Sequence, residues 1–192
     1  FLGPILEGGC EPVYTDNLIS VMERAGLVDA DGSGGRLRRH AEYRMVGTGD
    51  GAIVTDHSDT VIEAAFMSTK APGSQTVPRA EAWAMYSILK IWHGNMPLIV
   101  VVDASYVANG LKPHKMWKYL EGSNGDIWQL IYDRLDELPH KPTAAKVKSH
   151  VDEVHLRHHT YPTAWLLANE VADAAADVMA DHQGGRDTEV RK

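Results

Sequence analysis

Four carboxylates carry the chemistry open to this sequence. Asp31 stands at the end of a short apolar entry, GLVDAD. Glu81 falls in the opening turns of PRAEAWA, Asp103 ends the run LIVVVD, and Asp173 lies in the alanine-rich stretch NEVADAAA. Carboxylates brought together repel one another and hold protons unless cations neutralise them. Hard oxygen ligands without cysteine partners suit Mg2+ or Mn2+ rather than zinc. Two such ions about 4 Å apart activate a water, hold a phosphate and stabilise the leaving oxygen of an in-line displacement. Acids at strand ends also have plainer roles: Asp103 equally suits the cap of a following helix.

The elements around these acids have to bring them together. Leu98 to Ser105, LIVVVDAS, is an unbroken apolar run that follows Pro97 and ends in a small polar pair. It reads as a strand buried on both faces, and open α/β sheets place their ligands at the carboxyl ends of such strands. Upstream, AEYRMVG, GAIVTD and VIEAAFMS are β-prone pieces separated by TGDG and DHSD turns, the pattern of a hairpin or meander. From Thr76 to Trp92 the period becomes helical, with Ala80, Trp83, Ala84, Ser87, Ile88 and Ile91 on one stripe. Thr76 suits the cap of that helix and Pro78 its first turn.

Further on, Tyr106 to Leu111 reads as a short helical turn. Lys112 to Ser123 is basic, with Trp117 and Tyr119 interleaved, and Asp126 to Leu138 is a second helix. Thr143 to His150 is a short strand running into a histidine, 151–163 a polar loop, and Asn169 to about Asp181 a helix. Residues 1–24 read as a linker with a turn or two of helix outside the main core, and 183–192 as a polar tail. The order predicts one α/β domain over 25–182, with a mixed five-stranded sheet and helices on both faces. Its first three strands are antiparallel and the rest parallel.

The chain has 192 residues, 44% hydrophobic and 23% charged, enough for one compact domain with extra segments at its ends. Cys10 is the single cysteine, so no disulfide framework forms and a reducing, intracellular setting (cytoplasmic or nuclear) is expected rather than secretion. No apolar run approaches the roughly 20 residues that span a bilayer, so no membrane is expected as a partner. The first residue is Phe1, which fits a piece of a longer polypeptide. A net charge of −7 argues against coating nucleic acid by bulk positive charge.

Two other metal readings are weaker. Asp29, Asp31, Ser33 and Gly34 match the start of an EF-hand loop, but His40 stands where its glutamate belongs, after Arg36, Arg38 and Arg39. His155, His158 and His159 lie in a proline-flanked loop with no cysteines beside them, a poor zinc site.

Taken in order, DADGSGG, SQTVPRAEAWA, VVDASYVANGL, NGDIW, KVKSH and NEVADAAA resemble the type I ribonuclease H domain. The form they are most similar to is the one attached to reverse transcriptases of retroelements. The resemblance covers roughly residues 26–181. It implies a ribonuclease H-like fold and an endonuclease that hydrolyses the RNA strand of an RNA·DNA hybrid with two Mg2+ ions, Mn2+ being able to substitute. An adjacent reverse transcriptase domain in the same polypeptide is the implied partner. Asp31 and Asp103 would be the central metal ligands, Glu81 would complete one ion's shell and Asp173 the other's. His150 would carry a proton to the leaving group, a role that suits a near-neutral imidazole.

The hybrid would meet Gly32, Ser33, Gly34, Thr76, Arg79, Ser105 and Asn169, with the DNA strand against Lys112, Lys115, Lys118 and Trp117. The chain departs from the family pattern at Val77-Pro78, where an asparagine-rich stretch is usual, and at Ala104, where serine is usual. Asp16 of VYTDN competes with Asp31 as first ligand, and Asp29 is the next rival. The alternatives are a degenerate domain that binds hybrid or braces a polymerase without cutting, and another nuclease on the same fold.

Overall fold

A computed structural model of the chain describes residues 12–33, 46–147 and 161–190, with 181–190 described by backbone alone. The elements run β1 (Val13–Tyr14), α1 (Leu18–Ala25), β2 (Leu27–Ser33), β3 (Gly47–Thr55), β4 (Val61–Lys70) and α2 (Val77–Ile91). They continue with β5 (Ile99–Val102), α3 (Ser105–Gly110), a 3-10 turn (Pro113–Lys115), α4 (Met116–Glu121), α5 (Gly125–Glu137), β6 (Thr143–Lys146) and α6 (Thr163–Val190).

The strands form one mixed sheet in the order β1-β4-β3-β2-β5-β6. β2, β3 and β4 are antiparallel neighbours, whereas β5 runs parallel to β2 and β6 parallel to β5. This is the expected architecture with one more strand, the two-residue β1, paired on the outer edge of β4. The valine run of β5 shows why it sits inside. Val100 and Val102 join the main core with Val28, Met85, Ile88, Trp92 and Ile127. Val101 joins a second core on the opposite face with Leu27, Ile53 and Ala168. Alternate side chains thus reach two covered faces, as a strand buried on both sides requires.

Helix α6 lies across β2, β3 and β4 on one face, while α1 and α2 cover the other and α5 packs on α2. The approach of α6 is set by glycine. A Cβ at Gly47, Gly49 or Gly51 would fall 2.5, 2.1 or 2.7 Å from backbone atoms of α6. Ala168, Ala172, Ala176 and Ala180 form the facing stripe of the helix, each fully or almost fully buried. Only a strand without side chains on that face admits a helix so close.

Three expectations need correction. The TGDG stretch is not a turn but the middle of β3, because its glycines serve helix packing rather than chain reversal. Residues 18–25 are not outside the core: Leu18, Val21 and Met22 are buried in it, on the apolar face of an amphipathic helix. Finally, α6 begins at Thr163, inside the expected loop, and its backbone continues through the expected tail to Val190.

Candidate active site

The parallel pairing of β2 and β5 decides where two of the acids go. Asp29 is the Cα partner of Val101, so two residues later Asp31 and Asp103 leave their strands side by side. Glu81 comes from the second turn of α2. Gly32 allows that helix to close in: a Cβ there would lie 2.7 Å from the Glu81 backbone nitrogen. The result is a cluster in which Asp31, Glu81 and Asp103 each offer a carboxylate oxygen within 4.8 Å of the others. The N-cap position of α3 falls on Ala104, one residue beyond Asp103.

Burial and mutual repulsion make Asp31 and Glu81 hard to ionise. Asp31 is pushed up to about 10, first by burial and then by the charges of Asp103, Asp173 and Asp29. Glu81 is raised to about 7 by burial and by Asp103. Three clustered carboxylates, two of them hard to ionise alone, are what a divalent cation neutralises, so the donor set fits Mg2+ or Mn2+. Asp31 Oδ1 also accepts the Gly32 N–H at 2.9 Å, which fixes its rotamer.

Asp173 reaches the cluster from α6, where it shares a hydrogen bond with Asp31. One turn earlier, the Asn169 amide donates toward both oxygens of Asp29 at 3.2 Å. One turn later, Ser33 Oγ bonds Asp177 Oδ1. Asp29 is completely buried and faces Asn169 rather than the three-carboxylate cluster. Asp16 is exposed in the turn after β1, with β4 and β3 between that strand and β2.

Of the expected substrate positions, Ser105 opens α3 beside Asp103, exposed. Thr76 holds the N-cap position of α2 in extended conformation without a side-chain cap bond. Arg79 is only 3% exposed, its guanidinium held by Asp126, Asn124 and the Pro72 carbonyl. Lys112 and Lys118 are exposed and Lys115 half-buried around Trp117, which is 64% exposed. Gly34, His150 and the histidines at 155, 158 and 159 lie outside the described residues.

The sequence reading did not anticipate Asp50. Its side chain is fully buried on β3, and neither carboxylate oxygen has a hydrogen-bond partner. Nor did it anticipate Asp177, although the i, i+4, i+8 spacing of Asn169, Asp173 and Asp177 on one helix was there to be read.

No family profile and no curated protein sequence matches the chain. Solved structures do. The PFV RNase H domain aligns with 80% of this chain and 93% of its own, at 21% identity and a TM-score of 0.51. The Prototype Foamy Virus protease–reverse transcriptase aligns with 80% of this chain at 20% identity and a TM-score of 0.53, and this chain spans 20% of it. LC9-RNase H1, a type 1 RNase H with the type 2 active-site motif, aligns with 82% of this chain and 73% of its own at 16% identity, with a TM-score of 0.52. With the strand order, the helix across the glycine strip and the acids at the strand ends already placed, the chain has a ribonuclease H-like fold.

Proposed function

We propose that this domain hydrolyses the RNA strand of RNA·DNA hybrids endonucleolytically, using two Mg2+ ions that Mn2+ can replace. The observation that carries the reading is the convergence of Asp31, Glu81 and Asp103 within 4.8 Å at the ends of β2 and β5 and the second turn of α2. Asp31, Glu81 and Asp103 would hold one cation, and Asp31 with Asp173 the other. Cations held there would supply an activated water, neutralise phosphate charge and stabilise the leaving oxygen. The protein's own part is to bring the four carboxylates together and to orient the scissile phosphate over them. His150, outside the described residues, is the candidate proton carrier at the leaving oxygen.

RNA is distinguished from DNA at its 2′-hydroxyl by small polar and backbone groups in a shallow minor groove. Ser105 beside Asp103 and Gly32 beside Asp31 would take that role, and the Lys112–Lys118 segment with Trp117 would take the DNA strand. The likeness to a foamy virus protease–reverse transcriptase supports a retroelement polyprotein, with a polymerase domain as neighbour.

The test is to incubate the domain with labelled RNA·DNA hybrid, duplex DNA and duplex RNA, in Mg2+ or in EDTA. The expected result is Mg2+-dependent cutting of the hybrid's RNA strand alone, abolished by Asp31→Asn and unaffected by Asp16→Asn. Hybrid binding without cutting identifies a degenerate brace, and cutting of duplex DNA identifies a different nuclease.

A further inference from the structure

The contacts between β2 and α6 repeat regularly along both elements. Asp29 meets Asn169, Asp31 meets Asp173, and Ser33 meets Asp177. Steps of two along the strand are matched to steps of four along the helix. Two strand residues advance about 6.6–6.8 Å and four helix residues about 6 Å. The two repeats therefore stay nearly in register over three rungs. The other flank of the same helix is held differently: the Ser68 hydroxyl donates to the Ala175 carbonyl, and the glycine strip of β3 lies beneath the alanine stripe.

That packing surface is smooth. Between the glycine strip and the alanine stripe no large side chain interlocks to stop sliding; Trp165, Leu167 and Val171 pack on the second core instead. The polar rungs supply what the smooth surface lacks. The middle rung is made by Asp31 and Asp173 themselves, the two side chains whose spacing has to be set. The Asp29–Asn169 rung involves neither of them. Its amide is a fixed donor, its carboxyl an acceptor through both oxygens, and Asp29 is completely buried.

We propose that Asp29 is a positioning residue for Asp173: by binding the Asn169 amide it holds α6 in the register that keeps the Asp173 carboxyl beside Asp31. The assignment rests on the cation-binding reading of the acid cluster. It moves Asn169 from substrate contact to helix register. Asp29 acts through Asp173 and touches neither cation nor hybrid.

The test follows Mn2+ binding by calorimetry in the whole chain, alongside hybrid cleavage. Losing a partner that orients a ligand typically weakens metal binding about tenfold or more. Asp29→Val and Asn169→Ala are each expected to weaken Mn2+ binding by about tenfold and to lower kcat, with KM for hybrid within about twofold. In an Asp173→Asn background neither change should weaken Mn2+ binding further. The exchange Asp29→Asn with Asn169→Asp keeps a donor facing an acceptor and should restore binding to within about twofold. Should Asp29→Val fail to fold, Asn169→Ala on the half-buried helix face and the exchange variant still decide.

Undiminished Mn2+ binding in Asn169→Ala overturns the proposal, as does an equal loss in the Asp173→Asn background. A raised KM at unchanged kcat also overturns it, by returning Asn169 to the substrate. Wild-type protein that binds Mn2+ but cuts no hybrid refutes the ribonuclease reading alone and leaves the binding arm to decide the ladder.

Discussion

The Arg79 guanidinium and the Asp126 carboxylate meet in two parallel hydrogen bonds, Nη1 to Oδ1 at 2.9 Å and Nη2 to Oδ2 at 2.6 Å. The pair ties the first turn of α5 to the first turn of α2, two residues before Glu81. The Arg79 hydrogen bonds hold the Asp126 carboxyl below the usual carboxylate range. Breaking a buried pair of this kind by removing one partner costs about 3–5 kcal/mol. Arg79→Ala is expected to destabilise the domain by that amount in urea unfolding. Arg79→Lys should recover only part of it, because an ammonium cannot reproduce the fork. If Arg79 instead reads the hybrid, both variants keep wild-type stability and raise KM.

Asp50 sets a second stability test. It lies opposite Ala30 and Met67, both in the main core, with its carboxyl sealed from solvent and unpartnered. Burial raises its pKa well above the ordinary value, with Asp29 adding to the shift. The folded state therefore keeps the proton that the unfolded chain releases above about pH 4. With fewer protons on the unfolded state, stability from this group falls as pH rises from about 4. Asp50→Val, which suits a strand, is expected to gain about 1–3 kcal/mol at pH 7.5 by removing an unsatisfied buried group. At pH 4.5 the gain should be smaller. A loss of stability that grows with pH would contradict this account.

What was legible in the sequence follows from which physical signals are local. The valine run before Asp103 and the helical stripe of α2 declare themselves, because burial on two faces or on one stripe dictates residue types at fixed spacing. The glycines of TGDG misled because a turn and a close helix contact ask for the same residue. Only the alanine period of α6, more than a hundred residues away, tells them apart. Asp31, Glu81 and Asp103 could be grouped by their element ends, yet nothing local separates Asp31 from Asp29. Strand alternation puts both on one face, and the partner across the gap decides. The pairing of Arg79 with Asp126 was not legible, because the two lie on different helices far apart in the chain.

Trp117 tests the nucleic-acid surface. It stands exposed on α4, while Tyr119 of the same helix is anchored by stacking on Tyr106 at 5.1 Å and by donating to the Tyr106 carbonyl at 2.7 Å. The platform is thus fixed and its outer aromatic is free to meet a ligand. Trp117→Ala is expected to leave the melting temperature unchanged and to weaken hybrid binding by about 1–3 kcal/mol, the worth of an aromatic face against a nucleotide. Lys118→Ala should lower the magnitude of the salt dependence of binding by about one unit of slope. Filter binding at several salt concentrations measures both. A drop in melting temperature for Trp117→Ala, with binding intact, would make the residue part of a satellite core.

The acid cluster itself predicts how pH and metal act against each other. Without cations, the folded protein keeps protons on Asp31, raised to about 10, and on Glu81, raised to about 7. Unfolded, both groups ionise near pH 4. Their contribution to stability is therefore fullest below pH 4. It declines through pH 7 as Glu81 reaches its folded value, and on toward pH 10 for Asp31. Titrating groups outside the cluster cancel when wild type is compared with Asp31→Asn at each pH. In EDTA, Asp31→Asn should be increasingly favoured over wild type from pH 5 to pH 8. With saturating Mg2+ the order should reverse, because cation binding displaces the protons and strengthens as pH rises. Thermal unfolding of both proteins in EDTA and in Mg2+ across that range measures it. A wild type that gains on Asp31→Asn with rising pH in EDTA would mean that the carboxyl is already ionised by a partner in the fold, and that no cation is needed to hold the cluster together.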